Sequence, residues 1–141
     1  MSAAILAALL ALFPSMNYAP CVRANAPRIA AEAARAEREL GVPPEVLLVV
    51  GLLESHWGCN PASGGCWGAP IDFRHRGTAG TPLHAARVLA NGYRACGDWT
   101  RAVAWFRSGD CRPRAPGLRG YVRRATALIA RVAPARGGGP R

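Results

Sequence analysis

Glu54 occupies the position in this sequence that is best suited to acid chemistry. The eight residues before it, 46–53, carry no polar side chain, and a loop rich in Gly, Pro and Cys follows shortly after it. If these residues form a buried helix, desolvation should favour the protonated form of the Glu54 carboxyl near neutral pH. Such a group can act as the general acid that protonates the leaving oxygen of a glycosidic bond. The alternative is a helix-end carboxylate paired with one of the 18 Arg residues.

The aromatic and histidine side chains nearby allow fewer kinds of chemistry. Trp57 and Trp67 have flat apolar faces that suit sugar rings, although core packing explains them equally well. His56, His75 and His84 have no matching nucleophile, which argues against a Ser/His/Asp mechanism. The sequence also has no Gly-x-Gly-x-x-Gly or Walker string for binding phosphate.

Five cysteines are many for 141 residues. Proximity in sequence predicts the disulfides Cys59–Cys66 and Cys96–Cys111, with Cys21 left over, although four paired cysteines allow three connectivities. Disulfides would indicate an oxidising compartment, whereas buried free thiols would suit a cytosolic protein. A third alternative is a zinc site, but its cysteine spacing is wider than usual. Its ligands would be His56, Cys59, Cys66 and His75.

The composition predicts a basic, helical, single-domain protein. Ala, Leu and Val dominate, and long alternating β-branched runs are absent, so we expect an all-α domain of about five helices. The formal net charge is +10, with every cation an Arg, which favours polyanions such as nucleic acid, anionic lipid or bacterial wall polymers. Because the Arg residues are dispersed, a solvated basic surface is the simpler interpretation.

The organisation along the chain follows from apolar periodicity and from Gly and Pro signals. Residues 1–20 form a hydrophobic segment, either a signal peptide or a membrane anchor, because its apolar run is too short to span a bilayer. Residues 21–132 form the domain, and the Gly/Pro/Arg-rich tail 133–141 is predicted to be disordered. A long Gly-rich loop covers residues 58–81. The predicted helices run from Ile29 to Leu40, Pro44 to about Trp57, Thr81 to Cys96, Asp98 to Arg107, and Leu118 to Val132.

The segment from Gly41 to Pro61 resembles the soluble lytic transglycosylases of the lysozyme superfamily. In that family a buried helix ends in Glu-Ser, followed by an aromatic residue, an Asn-Pro turn and a Gly-rich loop, matched here by residues 64–68. A later Ala-Tyr-Asn-Ala-Gly motif has a weaker counterpart in residues 105–109. The Glu-Ser-x-Trp-Gly string is also similar to bacterial glucosaminidases of the same superfamily.

The resemblance implies a lysozyme-like fold, a peptidoglycan substrate and no cofactor. Glu54 would be the catalytic acid and then the base, and Ser55 would contact substrate or orient Glu54. In lytic transglycosylases one Glu suffices, because the sugar's own 6-hydroxyl attacks; a hydrolase would need a second carboxylate or a positioned water, with Asp72 as the nearest candidate. The full set expected to contact substrate is Ser55, Trp57, Trp67, Gly68, Asp72 and Phe106.

Two departures from the family pattern affect the predicted site. The Gln that normally lines the cleft after the Gly-rich loop is replaced by the stretch 69–72. The Tyr of the later motif aligns with Phe106, which lacks the hydroxyl, and the neighbouring Asn aligns with Arg107.

The sequence therefore predicts a secreted or periplasmic, monomeric enzyme that cleaves the MurNAc-GlcNAc β-1,4 bond of peptidoglycan strands. A retained N-terminal segment would associate it with the membrane. One alternative is a non-catalytic relative that binds the same glycan. Another is a basic helical module that binds nucleic acid or anionic membrane, although dispersed Arg residues argue against nucleic acid as a partner.

Overall fold

The computed structural model describes residues 2–13, 19–59 and 81–136, which are mostly helical and include no strand. The prediction of an all-α architecture is confirmed, with one α-helix more than expected in the described ranges. The helices are α1 (Ser2–Leu12), α2 (Ala19–Leu40), α3 (Pro44–Ser55), α4 (Pro82–Cys96), α5 (Trp99–Ser108) and α6 (Pro116–Val132), followed by a 3-10 helix (Ala133–Arg136).

The predicted boundaries of α4 and α5 are confirmed by their capping groups. The Thr81 hydroxyl accepts a hydrogen bond from the His84 N–H at 3.1 Å, and the Asp98 carboxylate accepts one from the Arg101 N–H at 2.8 Å. Both helices end at glycines in the left-handed region, Gly97 at φ 90° and Gly109 at φ 74°. These caps fix the lengths of the two helices.

Two segments are helical in the structure although the sequence did not predict a helix there. Helix α2 begins ten residues before the predicted Ile29, and Pro27 lies inside it. The tail was predicted to be disordered, but Ala133–Arg136 forms a 3-10 helix. Its order has a physical cause, because Arg136 makes ion pairs with Glu37 and Glu45. Residues 137–141 lie outside the described part of the chain.

Helix α3 forms the centre of the fold, and α1 packs beside it. Residues 46–52 of α3 are buried, as the apolar run predicted. In α1, Ile5, Leu6 and Leu9 are buried against the same core, so the segment predicted to be a signal peptide or anchor docks on the helical domain. Among the residues that the structure describes, no helix has the length and apolar content needed to cross a bilayer.

Two disulfides connect the helices, and one differs from the prediction. Cys96–Cys111 is present as expected, but Cys59 is bonded to Cys21 rather than to Cys66. The longer α2 places Cys21 beside the turn after α3, so tertiary packing overrides closeness in sequence. The bond also removes Cys59 from the alternative zinc site. Two disulfides are typical of proteins from oxidising compartments. Cys66 lies outside the described residues.

Candidate functional site

Glu54 lies at the carboxyl end of α3, where the apolar run stops. Its side chain is 7 % exposed, so the helix does remove the carboxyl from bulk water as the sequence suggested. The end of a helix also carries unsatisfied carbonyl groups, which disfavour a neighbouring anion. Both features oppose ionisation of Glu54.

The backbone immediately after Glu54 turns through an uncommon conformation. His56 and Trp57 have φ values of 49° and 55°, the left-handed region that non-glycine residues rarely adopt. Each such residue costs about 1–2 kcal/mol. The turn is stabilised by hydrogen bonds to the last turns of α3, from the His56 N–H to the Leu52 carbonyl at 3.1 Å and from the Trp57 N–H to the Gly51 carbonyl at 3.0 Å. Strain of this kind concentrates at functional sites.

Trp57 and Ser55 stabilise this turn from inside the protein. The Trp57 side chain is 2 % exposed, and its indole Nε1–H donates to the Leu48 carbonyl at 2.9 Å. The structure thus corrects the expectation of a sugar-stacking Trp57, because its ring belongs to the core. Ser55 is equally buried, and its hydroxyl accepts a hydrogen bond from the Gly58 N–H at 2.9 Å. Its observed role is to shape the turn that follows Glu54.

Arg107 reaches Glu54 from the end of α5. Its Nη1 donates to Glu54 Oε2 at 3.0 Å, and the Arg107 side chain is 49 % exposed. The carboxylate–arginine pair considered as the alternative to a catalytic Glu54 is therefore present. The pair holds one oxygen of the carboxyl and leaves the other, Oε1, without a hydrogen-bond partner among the described residues.

Tyr121 of α6 completes a cluster of three side chains from three helices. Its ring is 9 % exposed, and the Arg107 guanidinium lies over it, 5.4 Å from the ring centroid. Burial and the neighbouring Glu54 carboxylate raise the pKa of Tyr121. Like Glu54 Oε1, the Tyr121 hydroxyl has no hydrogen bond of good geometry within the described part of the chain. The two buried groups interact with each other, and the Tyr121 hydroxyl favours the ionised form of the Glu54 carboxyl.

The pKa of Glu54 is raised above the ordinary glutamate value. Burial is the largest cause, and the interactions with Tyr121 and with Arg107 both act in the opposite direction without cancelling it. The pKa of His56 is lowered, also by burial. The cluster accordingly combines a carboxyl that holds its proton more tightly than usual with a guanidinium that stabilises the carboxylate once the proton has left.

One of the remaining predicted site residues lies in the core, and the others lie outside the described residues. Phe106 is fully buried, so the structure corrects the expectation that it contacts substrate. Trp67, Gly68 and Asp72 lie in residues 60–80, outside the described ranges. Two surface cavities in the described part of the chain lie elsewhere, one lined by residues of α5 and α6 and one near the end of α2.

The partners of Glu54 were not identified as a site from the sequence. Arg107 was noted only as a departure from the family pattern, and Tyr121 was not singled out. The helical spacing of Tyr121, Ala125 and Val132, all buried on one face of α6, could have indicated that Tyr121 faces inward. Nothing in the local sequence pairs it with Glu54, 67 positions earlier.

Comparisons of this chain with protein-family models, with curated proteins and with solved structures found no match. What the cluster does must therefore be judged from its geometry and chemistry.

Proposed function

We propose that this protein is a glycosidase that cleaves peptidoglycan, acting as a lytic transglycosylase on the MurNAc-GlcNAc β-1,4 bond. The observation that carries the proposal is the Glu54 carboxyl, 7 % exposed at the end of an apolar helix, with a raised pKa and one oxygen unpartnered among the described residues. A lysozyme-like arrangement, suggested by the Glu-Ser resemblance, would present this oxygen to a glycan strand.

In the proposed first step, the unpartnered oxygen of Glu54 protonates the leaving group. Protonated Oε1 donates its proton to the glycosidic oxygen, and the bond from that oxygen to the anomeric carbon breaks. Burial supports this role because it keeps the carboxyl protonated to a higher pH than an exposed glutamate.

The second step uses the carboxylate that remains. The 6-hydroxyl oxygen of the sugar that contains the anomeric carbon bonds to that carbon, and the hydroxyl proton passes to Glu54. This step regenerates the acid and leaves an anhydro end on the glycan. No second carboxylate is needed for this sequence of events. A hydrolase would instead add water at the anomeric carbon, with Asp72 as the candidate second carboxylate.

Arg107 and Tyr121 would position and stabilise Glu54. The ion pair at Oε2 fixes the carboxyl plane and stabilises the anion formed after proton donation. The Tyr121 hydroxyl is coupled to the same carboxyl and can hydrogen-bond to substrate or to Glu54. A phenol therefore stands beside Glu54 although Phe106 lacks the hydroxyl of the family's tyrosine.

The protein's charge and disulfides suit a cell-wall substrate. A net charge of +10 favours residence on an anionic wall. The disulfides suit a secreted or periplasmic protein, which would act as a monomer, tethered to the membrane if the N-terminal segment inserts there.

A second candidate is a non-catalytic relative that binds glycan. The Glu54–Arg107 ion pair at 3.0 Å supports it, because a guanidinium so close favours the carboxylate. In this alternative Glu54 would be a structural residue of the α3–α5 contact, and substrate would remain intact.

Mass spectrometry of purified sacculi after digestion tests the proposal. Wild-type protein should release anhydro-muropeptides, and Glu54→Gln should release none while still sedimenting with the sacculi. Reducing muramic ends would change the assignment to a muramidase, and reducing glucosamine ends to a glucosaminidase. Binding without any soluble product from the wild type would establish the non-catalytic alternative.

A further inference from the structure

An aromatic cavity lies at the opposite end of α5 from the Glu54 cluster. It encloses about 520 Å³, and its lining includes Tyr93, Arg94, Trp99 and Glu39. Trp99 begins α5 and Arg107 lies near its end, so the two positions are about 12 Å apart along the helix axis at 1.5 Å per residue. The cavity is therefore separate from the proposed catalytic cluster.

The two rings of this cavity form a preassembled pair. Their centroids lie 4.4 Å apart and their planes are inclined by 31°. Tyr93 is 41 % exposed, so part of this aromatic pair faces solvent. An exposed aromatic face beside a cavity is suited to contact an apolar face of a ligand.

The surrounding structure holds the pair rigidly. The Gly97 N–H donates to the Tyr93 carbonyl at 2.8 Å, and the turn then leads directly into Trp99. A Cβ built on Gly92 would lie only 3.0 Å from the Ala102 carbonyl oxygen, which shows how closely α4 and α5 approach. The Cys96–Cys111 disulfide anchors the same end of α4. The rings therefore need little ordering when a ligand binds.

Charged groups at the edge of the cavity supply directional contacts. Glu39 is 47 % exposed and is paired with Arg35 at 2.9 Å, which leaves its other oxygen available to accept hydrogen bonds. Arg94 is exposed and hydrogen-bonded to Asn91, and its guanidinium has further donors. An outer ring face flanked by both an acceptor and donors suits a pyranose ring with its hydroxyl and acetamido groups.

We propose that this cavity is an accessory binding site for N-acetylated amino-sugar units of a glycan strand, with the Tyr93–Trp99 pair as its stacking platform. The proposed ligand rests on the substrate class given under the proposed function. The site would retain the polymer while the Glu54 cluster acts on another part of the strand, and binding here would not require an intact Glu54.

The test uses the N-acetylglucosamine tetramer as probe and the Glu54→Gln protein as background, so that no cleavage occurs during the measurement. Titration followed by NMR should shift the Trp99 indole N–H signal. Tyr93→Ala in this background should weaken binding about tenfold, whereas Tyr93→Phe, which keeps the ring, should bind like the parent. Circular dichroism and thermal unfolding verify that both variants are folded.

Equal affinity of the Tyr93→Ala and parent proteins, or a tetramer that leaves the Trp99 signal unmoved, would overturn the accessory site. Neither result affects the proposed cleavage, which is measured separately by product release with Glu54 intact. Conversely, a wild-type protein that releases no product but shows the Tyr93-dependent binding would refute the cleavage and leave the accessory site standing.

Discussion

The two ends of α3 carry the same residue type with the same type of partner, yet their environments differ. Glu45 lies in the first turn of the helix with a side chain 10 % exposed, and Glu54 lies in its last turn with a side chain 7 % exposed. Each accepts a hydrogen bond from an arginine at 3.0 Å, Glu45 from Arg136 and Glu54 from Arg107.

Position on the helix distinguishes the two carboxyls. The first turn of a helix stabilises an anion, and the last turn destabilises it. Arg136 is itself mostly buried and bridges Glu45 to Glu37, whereas Arg107 is 49 % exposed and holds Glu54 alone. Glu45 thus ties the C-terminal 3-10 helix to α3, and Arg136 extends this link to α2 through Glu37. Glu54 is placed where its charge is opposed, which suits a group that gains and loses a proton.

The largest effect expected from this comparison is on activity. Glu54→Gln should reduce muropeptide release by about 10²–10⁴-fold, the usual contribution of a general acid. The matched variant Glu45→Gln, at the other end of the same helix, should keep its activity once assayed below its melting temperature. Release measured by chromatography checks both, and equal activity of wild type and Glu54→Gln would refute the assignment.

Removal of the Cys21–Cys59 disulfide, which lies near the Glu54 end of α3, should lower the free energy of unfolding more than removal of Cys96–Cys111. The Cys21–Cys59 bond closes a separation of 38 residues, and Cys96–Cys111 closes 15. Loop-closure entropy predicts losses of about 4 and about 3 kcal/mol for the two double Ser variants. Urea denaturation measures both. We also expect the Cys21→Ser/Cys59→Ser variant to lose activity, because the Cys21–Cys59 disulfide adjoins the turn after Glu54. If only the Cys96→Ser/Cys111→Ser variant lost activity, the Cys21–Cys59 disulfide would not matter for the site.

Removal of the arginine partners of Glu45 and Glu54 should lower the free energy of unfolding by different amounts. Arg136→Ala should destabilise the protein by about 3 kcal/mol, the lower end of the range for a buried pair, because it leaves the Glu45 carboxylate buried without its cation. Arg107→Ala should destabilise it less, because Glu54 can take up a proton. Urea denaturation at neutral pH checks the order, and a larger loss for Arg107→Ala would show that Glu54 is the structural anion.

The smallest expected effect is a pH dependence of folding stability that is caused by Glu54. Because folding raises the pKa of Glu54, the folded protein binds this proton more tightly than the unfolded chain does. The contribution is fully present below the ordinary value of 4.5 and is lost as the pH rises through the raised pKa. The stability of wild type relative to Glu54→Gln should therefore fall as the pH rises above 4.5. A relative stability that increases over this range in urea titrations would contradict the expectation.

The parts of the fold that the sequence predicted are those governed by local signals. The predicted bounds of α4 and α5 agree with the observed ones to within one residue, because the caps Thr81 and Asp98 and the terminal Gly97 and Gly109 act locally. The unbroken apolar run likewise indicated that α3 would be buried. Each of these features depends on residues within a turn or two of one another.

The parts that were missed depend on contacts between distant residues. Arg136 orders the C-terminal 3-10 helix through Glu45, 91 positions away, and a Gly/Pro-rich composition alone suggested disorder. The Cys21–Cys59 bond required the extension of α2 through Pro27, although a proline inside a helix removes a backbone hydrogen bond. For the candidate site, burial of Glu54 could be inferred, but its neighbours Arg107 and Tyr121 come from other helices.

The most direct test of the central claim is the titration of Glu54 itself. The chain has five glutamates, so side-chain carboxyl signals of ¹³C-labelled protein can be followed by NMR from acid to neutral pH and assigned with Glu54→Gln. We predict that the Glu54 signal titrates above the ordinary glutamate value of 4.5. A Glu54 pKa at or below that value would show that Arg107 holds a permanent carboxylate, and the proposed general acid would be contradicted.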